Sequence, residues 1–357
     1  MKILHISSFS TTTPPVQYGG TERLVHYLAN ELSLLGVESH LVRRSGSRGG
    51  QYTSTNVAPK MLVAKVKMLI AKMKPDIIHL HSKNQELIDF LSTQKIPVVI
   101  TLYNNIRSTS SWTDLLKNPP SNFTFTAISK NLKARASQYA GKQKERQVKV
   151  VHIPPCYDLE AYRVAARKNS IHSAARTYFV YLGTIARYKS VADIAKSFVG
   201  LKENLVIVGP CNNPAEQAYF DEVISYTKHK NITYLGEPKN DKEKIAILQR
   251  AKGLIIATGL DKKEQDCHEA FGLVMLEANA AGTPVIGYKK GNIPDYICKN
   301  KNGIVFSDVA QLKSAIRDIQ KKDWSRECIR YAENFDSKVI AKQYANLYRK
   351  IISDTRS

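Results

Sequence analysis

The sequence predicts an α/β protein of two successive doubly wound domains, each a parallel sheet covered by helices. Three observations carry this reading. At 357 residues and 43% hydrophobic content, the chain can fill two cores of ordinary domain size. In both halves, short runs rich in Val, Ile, Leu and aromatic residues alternate with longer helical patterns, as βαβ units require. There is no short internal repeat and no low-complexity tract, so a solenoid is not indicated.

In the first half the strand candidates are KILHIS (2–7), SHLVRR (39–44), DIIHLH (76–81), PVVITL (97–102) and FTFTAI (123–128). In the second they are TYFVYLG (177–183), NLVIVG (204–209), ITYLG (232–236), GLIIAT (253–258) and PVIGY (284–288). Helical patterns lie between them. In TERLVHYLANELSLLG (21–36), Leu24, Leu28, Leu32 and Leu35 follow a 3.6-residue period and Gly36 supplies a stop. The expected domains are 1–168 and 169–336, facing each other across a cleft and joined near residues 160–175. Each offers its ligand site at the carboxyl ends of its strands. The segment SKVIAKQYANLYRKII (337–352) reads as an amphipathic helix that can pack on either domain.

Composition narrows the partners. With 53 Lys and Arg against 31 Asp and Glu, the formal charge is +22, a field that draws phosphates, anionic lipids or nucleic acid over a screening length of about 8 Å. No aromatic RNA-binding stripe or zinc finger accompanies it, so nucleic acid is not expected as a partner. The five cysteines are dispersed and form no CxxC pair, which argues against a zinc site and against a disulfide framework. His79 and His81 alternate on a strand, and Cys267-His268-Glu269 is metal-like at a glance, but neither has a second pair at ligand spacing, so no metal is expected. The N-terminus lacks the apolar core of a signal peptide, and no segment offers the roughly 18 apolar residues of a membrane span. A cytoplasmic protein is expected.

Three segments carry candidate chemistry. After the first strand, PPVQYGG opens into a helix. Gly19 and Gly20 there let a phosphate or sugar approach the backbone, although such a pair is commonly a plain turn. After the strand ending at Gly183, Arg187 and Lys189 stand where they can neutralise a leaving diphosphate, unless they are merely solvated surface cations. The sharpest segment runs from Glu269 through Ala-Phe-Gly-Leu-Val-Met-Leu to Glu277. If it is helical throughout, the two acids lie along one side. If a helix begins near Gly272, Glu269 lies in the preceding loop and can accept hydrogen bonds from sugar hydroxyls. Glu277 can then hold a ribose, and the N–H groups of Phe271, Gly272, Leu273 and Val274 can meet phosphate. An amphipathic helix with two solvent-facing acids is the plain alternative.

Together PPVQYGGTERLVHYLANEL, DIIHLHS, the Glu269-to-Glu277 block with GTPVIGYKKGNIPDYI, and FDSKVIAKQYANLYRKI resemble glycosyltransferase family 4, in order over nearly the whole chain. The resemblance implies a GT-B fold, a UDP- or GDP-sugar donor most readily, no metal or other cofactor, and retention of anomeric configuration. It implies a hydroxyl acceptor on a sugar, glycolipid or polysaccharide. By position, Gly19 and Gly20 approach the diphosphate, Lys189 binds the phosphates, and Glu269 contacts the donor sugar. Phe271 to Leu273 supply backbone contacts, Glu277 holds the ribose, and the base lies near Gly209-Pro210 and Gly236-Glu237. The C-terminal helix, 337–357, returns to the first domain. A sugar-nucleotide epimerase and a non-catalytic binding protein share the architecture.

The chain departs from the family pattern in several places. Tyr103 stands where a His close to the donor sugar is usual, and a phenol cannot become an imidazolium near neutral pH. Gly183-Thr184 replaces Gly-Arg, with Arg187 a candidate substitute cation. Pro155-Cys156 replaces Asn-Gly, while Asn292 and Asp295 stand for a second glycine and a glutamate. These changes imply an altered donor pocket in an active enzyme.

Residues 60–74, KMLVAKVKMLIAKMK, form a basic amphipathic helix with Leu62, Val63, Val66, Leu69, Ile70 and Met73 on one side. That side either buries on the sheet, leaving lysines in water, or the helix docks on an anionic membrane at about 1 kcal/mol per well-placed Lys.

Overall fold

The computed structural model describes the whole chain except residues 16–18, 105, 107–110, 141–148, 169–175, 265–266, 270 and 357. The chain divides into two units, Met1–Asp158 with Phe335–Ser357, and Leu159–Asn334.

The first unit holds a seven-stranded sheet of β1 (Lys2–Ile6), β2 (Glu38–Arg44), β3 (Thr53–Val57), β4 (Ile77–Leu80), β5 (Val98–Leu102), β6 (Phe123–Ala127) and β7 (Val150–His152). Its order is β3-β2-β1-β4-β5-β6-β7, with every pairing parallel. The second unit holds β8 (Tyr178–Leu182), β9 (Asn204–Val208), β10 (Ile232–Tyr234), β11 (Ala251–Ile256), β12 (Val285–Tyr288) and β13 (Gly303–Phe306). Their order is β10-β9-β8-β11-β12-β13, again all parallel. Parallel sheets need both faces covered, which is why β4 and β5 are buried at every position and are apolar apart from His79 and Thr101.

Helices supply the cover. The helix Gly20–Leu34 buries Leu24, Val25, Leu28, Ala29 and Leu32. Leu35 lies at the helix end and is 38% exposed, so the apolar stripe stops one turn short of its expected length. The C-terminal helix Ser337–Arg356 belongs to the first unit, where Ile340, Ala341, Tyr344 and Tyr348 share a core with Ile3, Leu28, Leu32, Ile77 and Val99. A parallel bridge between Tyr157 and Asp336 brings the chain back to that unit. The helix Glu160–Lys168 packs on Asp241–Gln249 and belongs to the second unit, so the division falls after Asp158 and not after 168.

Each strand order reverses at one place, between β1 and β4 in the first sheet and between β8 and β11 in the second. At such a point the chains leave the sheet toward opposite faces, which opens a crevice outside the carboxyl ends of the two strands.

Candidate active site

In the second unit, the loops after β8 and β11 meet over the reversal point. Gly183 ends the β8 register and the chain enters a tight turn, Arg187–Lys189. Side chains two residues apart in so tight a turn point in different directions. Lys189 Nζ donates to Glu269 Oε2 at 2.5 Å, and Thr258 Oγ1, just beyond β11, donates to the same oxygen at 3.0 Å. Burial would raise the Glu269 carboxyl. The Lys189 ammonium and hydrogen bonds from Lys189, Thr258 and the Phe271 backbone outweigh it, so the carboxyl lies below its ordinary value and is ionised at neutral pH. A carboxylate and an ammonium are thus held together at 11% and 18% side-chain exposure.

Arg187 turns elsewhere. Its guanidinium lies 3.6 Å from Asp261 and 3.7 Å from Glu222, over the Tyr219 ring at 4.7 Å. In this arrangement it serves a local acidic cluster, not the place of the missing cation beside Gly183.

Glu269 lies outside regular structure, and the helix of the block is Leu273–Ala280, capped by Gly272. Phe271 is buried against the Tyr296 ring, edge to face, with centroids 4.6 Å apart. This contact anchors the chain just before the helix. Leu273 and Val274 are half-buried in the first turn. Glu277, one helix face on, accepts from Lys244 Nζ at 2.7 Å, and Lys244 also lies 3.1 Å from Asp241. Glu277 therefore carries an ion pair that its sequence context does not announce.

Gly209 and Pro210 follow β9 and interlock with both neighbours. Ile185 N donates to Pro210 O at 2.8 Å, Gly209 N to Gly236 O at 2.8 Å, and Tyr234 Oη to Gly209 O at 3.0 Å. Gly209 has φ 139°, and a Cβ there would sit 1.9 Å from the Gly183 carbonyl oxygen, so no side chain fits. The loops after β8, β9 and β10 form one surface at the carboxyl edge.

In the first unit, Gly19 precedes the helix and Gly20 begins it. A Cβ on Gly19 would meet Pro15 Cβ at 2.7 Å and Thr11 Cγ2 at 2.8 Å, so the loop closes over a glycine. Buried Glu22 in the first helical turn ties the loop down, accepting from Ser8 Oγ at 2.8 Å and Thr11 N at 3.3 Å.

At the reversal point of this sheet lies a buried polar network. His5 Nδ1 and His81 Nε2 are 3.2 Å apart, and His81 Nδ1 is 2.8 Å from Tyr103 Oη. His79 is bonded to Tyr348 Oη at 2.6 Å and to Thr101 Oγ1 at 2.7 Å. Thr101 continues to Thr126 and to Tyr344 of the C-terminal helix. Spacing along the chain points only to His79 and His81, because His5 arrives from another strand. The three imidazoles have ligand-type nitrogens within 4.8 Å of one another. Their ring nitrogens are nevertheless spent on hydroxyls and on each other, apart from His5 Nε2, which is buried without a hydrogen-bond partner. Desolvation lowers all three imidazoles, that of His5 to about 3, so they are neutral.

Tyr103, immediately after β5, turns its hydroxyl into this network. Burial, followed by the nearby Tyr344, pushes the phenol well above its ordinary value, and Glu22 is close enough to add to the effect. The residue as a whole is only half-buried. A hydrogen bond from the phenol to a sugar is therefore not what this geometry offers.

The basic helix is Leu62–Met73, preceded by a turn at Pro59–Met61. Leu62, Val63, Val66 and Leu69 are buried in the domain, while Ile70 and Met73 are half-buried. The apolar side therefore belongs to the core, and what faces outward is Lys60, Lys67, Lys72 and Lys74 with Met61 and Met68, the last two 53% and 48% exposed. Among the described residues, no helix is long and apolar enough to cross a membrane.

Comparison with known proteins identifies the family and the fold. Residues 18–161 match the family described as Glycosyltransferase Family 4, and residues 164–335 match Glycosyl transferases group 1. The N-acetyl-alpha-D-glucosaminyl L-malate synthase of Bacillus anthracis is 23% identical over 320 residues, 83% of this chain and 80% of that protein. Among solved structures, the sucrose-phosphate synthase of Thermosynechococcus elongatus superposes with a TM-score of 0.75 at 18% identity, covering 99% of each chain. HepE of Anabaena, solved with UDP-glucose, gives 0.70 at 16% identity, over 98% of this chain and all of that one.

Proposed function

The chain belongs to glycosyltransferase family 4 and is a transferase of GT-B fold, and we propose that it moves a hexose-type unit from a UDP- or GDP-sugar to a hydroxyl acceptor with retention and without a metal. The acceptor is a sugar, glycolipid or polysaccharide under assembly. The observation that carries this reading is the Lys189–Glu269–Thr258 cluster at the β8/β11 reversal point. Transfer creates negative charge on the departing diphosphate, and a preplaced ammonium stabilises that charge at little reorganisation cost. As the diphosphate takes the ammonium, the Glu269 carboxylate is released to accept hydrogen bonds from the sugar hydroxyls. In this reading Glu277 holds the ribose, Gly209 and Pro210 border the base, and the N–H groups of Phe271 to Val274 approach the phosphates.

A thermal-shift screen of UDP-, GDP-, ADP- and dTDP-sugars, with and without EDTA, tests it. A donor at 100 times its Kd stabilises the fold by about 2.7 kcal/mol, and the expected result is a rise with UDP- or GDP-sugars that EDTA leaves unchanged. A rise that EDTA abolishes would refute the metal-free reading, and no rise with any donor would refute the donor assignment.

We also propose peripheral attachment to an anionic, cytoplasmic membrane face through the lysines of 60–74, with Met61 and Met68 as the apolar contact. Its buried apolar side limits attachment to these groups, at about 1 kcal/mol per lysine. Vesicles containing anionic lipid should co-sediment the protein in low salt and release it when Lys60, Lys67 and Lys72 are replaced by Gln. Equal sedimentation of that variant would remove this surface from consideration.

A further inference from the structure

Lys290 stands just beyond β12, which lies beside β11 on the side away from β8. Its Nζ donates to Gly259 O at 3.0 Å, and Gly259 directly follows Thr258, whose hydroxyl donates to Glu269. Gly259 N in turn donates to Tyr188 O at 2.8 Å, immediately before Lys189, and Asp261 N donates to Ser190 Oγ at 2.9 Å, immediately after it. The residue following Lys290 presses on the other member of the pair. A Cβ on Gly291 would lie 2.9 Å from His268 Cβ and 3.4 Å from both N and O of Glu269. Gly259 and Gly291 have φ 77° and 58°, so each close approach uses the left-handed backbone and the missing side chain of a glycine.

These contacts close a ring. One arc is the Lys189–Glu269 ion pair. The other runs from the Lys189 turn through Gly259 to Lys290, on to Gly291, and back to the Glu269 backbone. Lys and Glu side chains are rich in rotamers, so two of them on separate loops hold one geometry only where the loops themselves are tied. The half-buried ammonium of Lys290 makes that tie with a charge-assisted bond, which is stronger than a neutral one. Resting on the transferase reading above, we propose that Lys290 is a positioning residue: by tying the loop after β12 to the Gly259 carbonyl, it fixes the spacing of Lys189 and Glu269 before the donor arrives. A departing diphosphate gains most from an ammonium already in place, and a misplacement of about 1 Å can cost on the order of 100-fold in rate. A direct contact between Lys290 and the donor would act differently, since its contribution would not depend on Glu269.

Steady-state kinetics separate the two, using the full-length enzyme and the nucleotide sugar that gives the largest thermal shift, on Lys290→Met, Lys290→Arg, Glu269→Gln and the double variant Lys290→Met/Glu269→Gln. Each is assayed below its own melting transition, so that kcat reports folded enzyme. Positioning predicts that Lys290→Met lowers kcat about 10-fold while the donor KM stays within about 3-fold. Lys290→Arg keeps a charged donor and should remain within about 3-fold of wild type. Because the effect passes through the pair, adding Lys290→Met to Glu269→Gln should lower kcat by less than about 3-fold. Lys290→Gln, one bond shorter than lysine, replaces Lys290→Met if that variant does not fold, with the same expected loss. A full 10-fold loss in both backgrounds would show that Lys290 acts independently of Glu269 and would refute the positioning role. A loss in Lys290→Arg equal to that in Lys290→Met would show that the bond to Gly259 O is not the working contact. Wild-type kinetics in Lys290→Met would overturn the inference and leave the transferase reading standing, whereas a wild-type protein that turns over no nucleotide sugar would overturn that reading and the positioning role with it.

Discussion

Lowering the pH from 7 to 5 is expected to destabilise the first unit through its buried imidazoles, by about 2 kcal/mol for His5 alone. His5, His79 and His81 are buried and neutral, with folded values lowered by desolvation, in the case of His5 to about 3. In the unfolded chain each takes up a proton near its ordinary value of about 6.5. Between those limits the unfolded state binds more protons than the folded one, so stability rises with pH and is lost as pH falls. At pH 5 the loss for His5 is about 2 kcal/mol against a typical total of 5–15 kcal/mol, and His79 and His81 act in the same direction. Glu269 acts in a separate window. Its lowered folded value stabilises above its unfolded value, near 4.5, and that contribution is lost only as the pH falls further, through the folded value. Calorimetric melting at half-unit steps should therefore show a steep fall in Tm below pH 6.5. The slope should flatten when His5, whose Nε2 has no partner, is replaced by Leu, although packing changes as well. A Tm unchanged between pH 7 and 5 would mean that the cluster is protonated or hydrated in the native state.

The histidine cluster also marks where sequence reasoning stops. Strands such as Val98–Leu102 were legible because burial on both faces favours apolar residues, here at every position but Thr101. β3, Thr53–Val57, carries no such demand, since it lies at the sheet edge and buries only Val57, and its sequence TSTNV shows no alternation. β7 and β13, with three and four residues, were not among the strand candidates, although β10 and β4, equally short, were. Within the candidate site, the Glu269 block and Lys189 were visible as residue types at strand ends, but their pairing depends on two loops separated by three further strands of sequence. Lys244 with Glu277, and Arg187 with Glu222 and Asp261, are likewise brought together from separate elements. Direction is also invisible in a sequence. Tyr103 was identifiable as a departure from a family pattern, while the inward turn of its hydroxyl follows from His81, just beyond β4. The helix at 62–73 shows the reverse case, where periodicity found the apolar side correctly and only packing could say that the core claims it.

Removing either partner of the Lys189–Glu269 pair is expected to have the largest effect on catalysis, and the two losses should not add. Glu269→Gln keeps the shape and the hydrogen bond from Thr258 but removes the charge that holds the ammonium before donor arrives. Lys189→Met removes the cation proposed to meet the diphosphate. Loss of one preorganised electrostatic group at a site of developing charge lowers kcat by about 10²- to 10³-fold. The stability effects are asymmetric. Lys189→Met leaves a buried carboxylate without its ammonium, a change that costs about 3–5 kcal/mol, and burial then raises Glu269 against only the hydrogen bonds from Thr258 and the Phe271 backbone. Glu269→Gln leaves an ammonium at 18% side-chain exposure, which water can reach more readily. The Lys189 variant should therefore melt at the lower temperature of the two, although both lose turnover. Groups that act as a unit give a double variant little worse than the more damaging single one. Donor binding divides the roles further, since Lys189→Met should weaken the free nucleoside diphosphate, which carries no sugar, while Glu269→Gln should weaken only the sugar-bearing donor. Equal loss of both ligands in both variants would show that the pair merely shapes the loop, and the catalytic assignment would then have to move to other residues along the carboxyl edge of the second sheet.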